Sequence, residues 1–238
     1  MKLSKVLGVK KANLRARVIT LGLIITGILS IVFGVVTFYG QNAGNFVMAL
    51  DNEAVRRRIV LSLDGTLDKT STRLMTEPLS GALPITYNWI KFDEIGEAQG
   101  DYIDPDFEYL AFTFYIINNG TETVDINYHI RITDVYNNAD EVIRIAIVED
   151  GAISVFQKED KVYPLNFEGY PDDMPETTDF LTEETVMRGR FTNFKPADVK
   201  KFSIVMWLEG YDPDSSDQII GGRFKSFMNF VVDRFGAE

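Results

Sequence analysis

Cysteine is absent from this chain of 238 residues, and histidine occurs once, at His129. The lack of cysteine excludes a disulfide-stapled scaffold, a thiolate metal site and a cysteine nucleophile. A zinc site of the H-E-x-x-H type needs two histidines and is excluded as well. A Ser/His/Asp triad would have to use His129, and the sequence contains no G-x-S-x-G motif to supply its serine. Much of the common catalytic machinery is therefore missing.

Acidic residues are missing from the first 50 positions, where six basic residues precede an uncharged apolar run at residues 18–39. At about 1.5 Å per residue, a helix over this run is about 33 Å long, enough to cross a hydrocarbon core of about 30 Å. A basic flank on one side places that side in the cytoplasm. The pattern predicts a cytoplasmic tag at residues 1–17, a single transmembrane signal-anchor helix at residues 18–40 and an extracellular domain at residues 41–238.

Cleavage of a signal peptide is the alternative to a retained anchor. The apolar core of a signal peptide usually has about 7–15 residues and ends at small residues. Here the run is longer, and the candidate exit at residues 41–43 begins with Gln41, a poor fit for a small side chain. The sequence therefore favours a single-pass protein of the cell membrane with its C-terminal domain outside. Cleavage would make the same domain a secreted protein.

The charge beyond the apolar run is strongly negative. Six of the 24 basic residues and none of the 35 acidic residues precede the run, so the outer part carries 18 basic and 35 acidic residues, a balance of −17. Such a surface repels nucleic acid and anionic lipid, so a nucleic-acid partner is not expected. Solubility explains this charge, and binding of divalent cations is the alternative explanation.

Strand patterns dominate the outer part. Alternating apolar residues in 123–135 indicate a strand with one face in a core and the other in water. The aromatic and β-branched run 107–117 precedes that strand along the chain. Asn119-Gly120 between the two runs predicts a type I′ hairpin turn, with Gly120 at positive φ.

A second hairpin is predicted around Asp150-Gly151, between strands at residues 141–148 and 152–157. Apolar alternation and turn-forming residues also predict the structure of the remaining segments. Strands are predicted at residues 45–50, 58–63, 85–90, 202–208 and 223–232, a short helix at 53–58 or 182–187, and loops at 64–84, 93–106 and 164–182. Short strands with turn-rich connections predict a mainly β fold, an antiparallel β-sandwich or jelly roll.

Several short motifs follow one another in a characteristic order along the chain. They are Ala-Gly-Asn-Phe at 43–46, Phe-Thr-Phe-Tyr at 112–115 before Asn-Asn-Gly at 118–120, Val-Met-Trp-Leu-Glu-Gly at 205–210, Asp-Pro-Asp at 212–214 and Asp-Gln-Ile-Ile-Gly-Gly at 217–222. Together they resemble the TasA/camelysin-like exported proteins of Gram-positive bacteria. The resemblance implies a jelly-roll domain outside the membrane, in a group known for matrix fibres and surface proteins. Its members usually use a cleaved signal peptide, and this chain departs from them by lacking a good cleavage site.

One acidic turn has the composition of a metal site. Asp212, Asp214, Ser216 and Asp217 place oxygen ligands at nearly alternate positions, as the first half of a calcium loop does. The four residues are therefore candidate calcium ligands, and a plain acidic turn between two strands is the alternative. No other cofactor is predicted.

Two classes of function remain open. The leading interpretation is a membrane-anchored extracellular module for surface assembly or adhesion, non-enzymatic, whose partners are extracellular proteins or further copies of itself. The alternative is an extracellular hydrolase that uses carboxylates or a carboxylate-bound metal. An enzyme needs a concave pocket with converging acids, whereas an assembly module needs an apolar patch or an unpaired edge strand. Trp89 and Trp207 are assigned to the core, with ligand stacking as the alternative.

Overall fold

The computed structural model describes residues 19–30, 45–160 and 175–233. The chain forms two compact units, residues 1–43 and 44–238. In the first unit, residues 19–30 are helical, and the tag and the rest of the predicted anchor lie outside the described residues. Among the described residues, no helix has the length and apolar character needed to span a membrane.

The second unit is built mainly from β-strands, which form two sheets within the described residues. The five-stranded sheet has the order β11-β7-β13-β1-β4, and the eight-stranded sheet has the order β10-β9-β8-β12-β6-β2-β3, with β5 also paired to β6. The strands are β1 Phe46–Leu50, β2 Ile59–Ser62, β3 Thr70–Ser71, β4 Arg73–Met75, β5 Gly100–Tyr102, β6 Leu110–Asn118, β7 Val124–Tyr136, β8 Ile143–Glu149, β9 Ala152–Gln157, β10 Thr177–Asp179, β11 Thr185–Phe194, β12 Val199–Leu208 and β13 Arg223–Val232.

Short helices lie in the connections. They are α1 Asn52–Arg56, α2 Phe92–Glu97 and α3 Ala139–Val142, with 3₁₀ turns at Tyr87–Trp89 and Asp217–Ile219. The helix predicted at residues 53–58 is confirmed as α1, where the Asp51 side chain caps the Ala54 N–H at 2.8 Å.

A core of apolar side chains joins the two sheets into a sandwich. Phe114 and Phe202 of the eight-stranded sheet stack with ring centroids 5.6 Å apart, and the Phe230 ring of the five-stranded sheet lies 6.0 Å and 5.5 Å from them. All three side chains are fully buried. Most strand pairs are antiparallel, and β1–β13 and β9–β10 are parallel.

A second core lies on the other side of the eight-stranded sheet. It contains Ala146 of β8, Val205 and Trp207 of β12, and the segment 85–109, which contributes Ile85, Ile90, Ile95 and Tyr109. Because both faces of the sheet are covered, β6 and β12 are apolar on both sides, whereas β7 and β13 alternate.

The predicted hairpin at Asn119-Gly120 is wrong. β6 pairs with β12, β2 and β5, while β7 pairs with β11 and β13, so the connection crosses from one sheet to the other. Gly120 is not among the residues at positive φ. The Asn118 side chain holds this crossing, since its Nδ2 donates to the Glu122 and Phe194 carbonyls and its Oδ1 accepts from the Gly120 N–H.

Some of the other predicted elements are confirmed and others are wrong. The β8–β9 hairpin is confirmed, with Asp150 at φ 47° and Gly151 at φ 92°, and so are the strands at β1, β2, β7, β12 and β13. The strand predicted at 85–90 is wrong, because its centre forms a 3₁₀ turn over the second core. The helix predicted at 182–187 is wrong as well, because β11 begins at Thr185. The predicted loops at 64–84 and 93–106 contain β3, β4, α2 and β5. The described part of the predicted loop at 164–182 contains β10, and residues 164–174 lie outside the described residues.

Candidate functional site

An apolar cleft of about 600 Å³ opens beside the last strand. We define it by its two walls, residues 81–84 and 219–222, and by a floor that includes Leu110, Ile143 and Met206. Leu83 and Ile220 at the opening are 72% and 71% exposed, and both line the same cleft. The cleft therefore offers an apolar floor and two exposed apolar contacts to a partner.

Local backbone features hold the two walls of the apolar cleft. Gly221 has φ +73°, and a Cβ on Gly222 would stand 2.7 Å from the Ile219 carbonyl oxygen. These two glycines allow the tight bend that exposes Ile220. The opposite wall is tied to β12, because the Ile85 N–H donates to the Leu208 carbonyl at 2.9 Å.

Charged groups are sparse in the apolar cleft. Its described lining includes Asp217, which is exposed, and Arg223, whose Nε donates to Asp134 Oδ2 at 2.6 Å. The arrangement has no pair of carboxylates converging across the cleft among the described lining residues. The described lining can therefore contact an apolar group, and it offers one carboxylate, that of Asp217.

The predicted calcium turn is divided by the fold. Asp212 and Asp214 lie together, and a carboxylate oxygen of each comes within 4.8 Å of one from Asp160. Ser216 and Asp217 instead line the apolar cleft and are exposed. We call Asp160, Asp212 and Asp214 the carboxylate cluster.

A buried arginine partly neutralises the carboxylate cluster. Arg144 of β8 is 1% exposed, and its Nη1 donates to Asp212 Oδ2 at 2.6 Å. Asp212 Oδ1 also accepts from the Asp214 N–H at 2.7 Å. The Nε and Nη2 atoms of Arg144 have no hydrogen-bond partner in the described part of the chain. A buried ion pair of this kind is strongly destabilised when one partner is removed.

The carboxylate cluster shifts the titration of its members. Burial and the nearby Asp212 carboxylate raise the pKa of Asp160 to about 6. Burial also raises the pKa of Asp212, and the charge of Arg144 opposes that rise. Three carboxylates so close together can hold a proton or a divalent cation, and Arg144 already compensates one of their negative charges.

Sequence reasoning missed Arg144 and Asp160. A signal for Arg144 was present, because it is the one charged residue within Ile143–Val148, a stretch that is otherwise apolar. A charge between apolar neighbours indicates that the second face of the strand is covered and that a counter-charge lies nearby. Asp160 gave no such signal, since its approach to Asp212 joins residues more than 50 positions apart.

The single histidine has basic neighbours. His129 lies on β7 opposite Arg188 of β11 and Asn229 of β13. Burial, Arg131 and Arg188 lower its pKa, so the imidazole is neutral at pH 7. These surroundings do not resemble the carboxylate-oriented histidine of a hydrolytic triad.

Comparison with known proteins adds little to this geometry. No family model matches the chain, and no curated protein matches it. Two solved structures of a β-glucosidase from Kluyveromyces marxianus, one selenomethionine-labelled and one in complex with glucose, align with 71% of this chain at 9% identity and a TM-score of 0.24. The chain spans 16% and 15% of their lengths.

Proposed function

We propose that this chain is a membrane-anchored extracellular module that binds another surface protein and has no enzymatic activity. Its fold would be a jelly-roll form of the β-sandwich, in line with the resemblance to the TasA/camelysin group. The observation that carries the proposal is the apolar cleft with Leu83 and Ile220 exposed at its opening. A concave cleft of about 600 Å³ with a mostly apolar lining is typical of binding sites.

The partner that fits this cleft is an apolar segment flanked by basic residues. The outer part of the chain carries a balance of −17, and Asp217 lines the cleft while Arg223 is engaged by Asp134. A basic flank would therefore be attracted, whereas a second copy of this acidic chain would be repelled at long range. Burial of one aliphatic side chain in the floor contributes about 1.5–3 kcal/mol, enough for an anchor residue.

The carboxylates do not favour the hydrolase alternative. The carboxylate cluster lies around the buried Arg144, and its three acids do not line the apolar cleft. Calcium binding stays a prediction, with Asp160, Asp212 and Asp214 replacing the ligand set of Asp212, Asp214, Ser216 and Asp217.

Peptide binding tests the proposal. The full chain in mild detergent is titrated into a fluorescent peptide with a central Leu-Phe-Leu flanked by lysines, and anisotropy gives the Kd. We expect Leu83→Asp and Ile220→Asp to weaken binding at least tenfold, about 1.4 kcal/mol. Leu181→Asp is the matched control, because Leu181 is 56% exposed and does not line the cleft.

Two results would overturn the proposal. One is equal peptide affinity for the wild type and both cleft variants. The other is concentration-dependent self-association of the wild type that the same variants abolish, measured by sedimentation velocity, because it would make a second copy the occupant.

A further inference from the structure

The two tryptophans have opposite environments. Trp207 is 2% exposed in the second core, and its Nε1 donates to the buried Glu209 at 2.9 Å. Trp89 is 49% exposed, although tryptophan has the largest apolar surface of any side chain and is normally placed inside. The assignment to the core is therefore right for Trp207 and wrong for Trp89.

Trp89 is held flat against a second aromatic ring. Its centroid lies 4.9 Å from that of Phe107, and the two rings are inclined by 22°. The backbone fixes both residues, because the Trp89 N–H donates to the Thr86 carbonyl and the Phe107 N–H donates to Asp104 Oδ1. Asp104 is itself anchored by the Tyr109 hydroxyl at 2.9 Å. The pair is a preorganised, partly exposed aromatic platform.

Hydrogen-bonding groups surround the aromatic platform. The Lys91 ammonium bridges Asp104 and Asp106 at 3.3 Å and 3.1 Å, and the Asp106 side chain is 65% exposed. Phe107 also lines a cavity of about 220 Å³, whose lining includes Asp101 and Glu108. Acidic side chains therefore share this cavity with Phe107, and the Lys91 ammonium pairs with Asp106, the residue before Phe107.

We propose that Trp89 and Phe107 form a binding platform for a neutral saccharide. A pyranose ring presents a face of C–H groups, which the negative face of an aromatic ring attracts, and hydroxyls around its edge. The bordering carboxylates can accept charge-assisted hydrogen bonds from those hydroxyls. The protein would thereby contact surface polysaccharide at a place separate from its protein partner.

Other ligands that stack on aromatic rings fit the platform less well. Proline-rich peptides bind in grooves lined by several aromatic side chains, whereas Phe107 covers one face of Trp89 here and leaves one open ring face, which suits a single pyranose ring. The phosphates of a nucleic acid and the acid groups of an acidic glycan carry negative charge, which the acidic residues of 41–238 repel. A neutral saccharide meets neither obstacle.

Tryptophan fluorescence tests the proposal directly, because Trp89 is the exposed one of the two tryptophans. The full chain in mild detergent is titrated with cellohexaose and chitohexaose, and retention on insoluble cellulose and chitin is measured in parallel. We expect a blue shift of the emission with at least one sugar. Trp89→Ala should weaken retention at least tenfold, and Trp89→Phe should weaken it less because one stacking ring remains.

Two controls separate this platform from the apolar cleft. Leu67→Ala removes a 52% exposed aliphatic side chain elsewhere and should leave saccharide binding unchanged. Leu83→Asp should block the lysine-flanked peptide and leave saccharide binding intact, so the two proposals can fail separately.

The inference is overturned if neither sugar nor either polysaccharide binds the wild type, if Trp89→Ala binds them equally well, or if a proline decapeptide shifts the emission and the sugars do not.

Discussion

At the residue scale, Arg144 is the buried cation beside the carboxylate cluster. It lies on the outward-facing side of β8, where the second core covers the sheet, and it pairs with Asp212 while Asp160 and Asp214 stand close by. Its charge is desolvated, so the interaction with these acids is only weakly screened by salt. The stability of this region therefore depends on a balance among four charged side chains.

Removal of the arginine should destabilise the protein more than removal of its acidic partner. Arg144→Met leaves three neighbouring carboxylates without a cation, and we expect a loss of about 3–5 kcal/mol in the free energy of unfolding. Asp212→Asn leaves Asp160 and Asp214 to compensate Arg144, so its loss should be smaller. Urea unfolding at pH 7.5 measures both, and the reverse order would show that Arg144 interacts with Asp212 alone.

Asp160 should make stability depend on pH. Its pKa is raised from 3.8 to about 6 in the folded protein, so the folded state binds the proton more tightly than the unfolded state. The corresponding stability is fully present below about pH 4 and is lost as the pH rises through about 6. Asp160→Asn cannot ionise, and we expect its melting temperature to exceed that of the wild type at pH 7.5.

The difference between Asp160→Asn and the wild type should shrink toward pH 5, because wild-type Asp160 is then largely protonated. Asp68→Asn, at an exposed turn, is the control and should show no such trend. Thermal unfolding followed by circular dichroism between pH 5 and 8 gives both curves. A constant difference across that range would contradict the raised pKa.

At the scale of elements, the turn whose conformation depends on its own two residues was predicted correctly. The turn whose flanking strands are placed by distant contacts was not. Asp150-Gly151 takes up positive φ at both positions, as the dipeptide favours, and its strands pair with each other. Asn119-Gly120 favours the same type of turn, yet its flanking strands join different sheets. The reason is burial: β6 is apolar on both faces and needs cover on both, whereas β7 needs cover on one.

Glycine substitutions should separate these two turns. A Cβ on Gly120 would stand 2.2 Å from the Arg57 carbonyl oxygen, so Gly120→Ala forces a backbone shift and should cost about 1–3 kcal/mol. Gly151→Ala meets nothing within 4 Å and should cost about 1 kcal/mol, from its φ of +92° alone. Urea unfolding of both variants provides the comparison. Equal losses would mean that the connection at Gly120 relaxes freely.

At the scale of the whole molecule, the charge distribution predicts topology. All six charges before residue 18 are positive, so residues 1–17 should be cytoplasmic and residues 41–238 external. Protease added to intact protoplasts should therefore digest the outer domain, while a cytoplasmic marker protein remains whole. Protection of the outer domain until the protoplasts are lysed would reverse the predicted orientation.

The sequence by itself determined the class of fold, most strands of the sandwich and the negative charge of residues 41–238, because strand period, turn composition and charge are local properties of the chain. β13 was predicted with its bounds, and its apolar face is the buried one. Only the tertiary structure decided that β6 and β7 belong to different sheets, that Asp160 joins Asp212 and Asp214 around Arg144, and that Trp89 is exposed while Trp207 is buried. These features depend on which distant surfaces cover one another, and that choice is made by the packing of both cores at once.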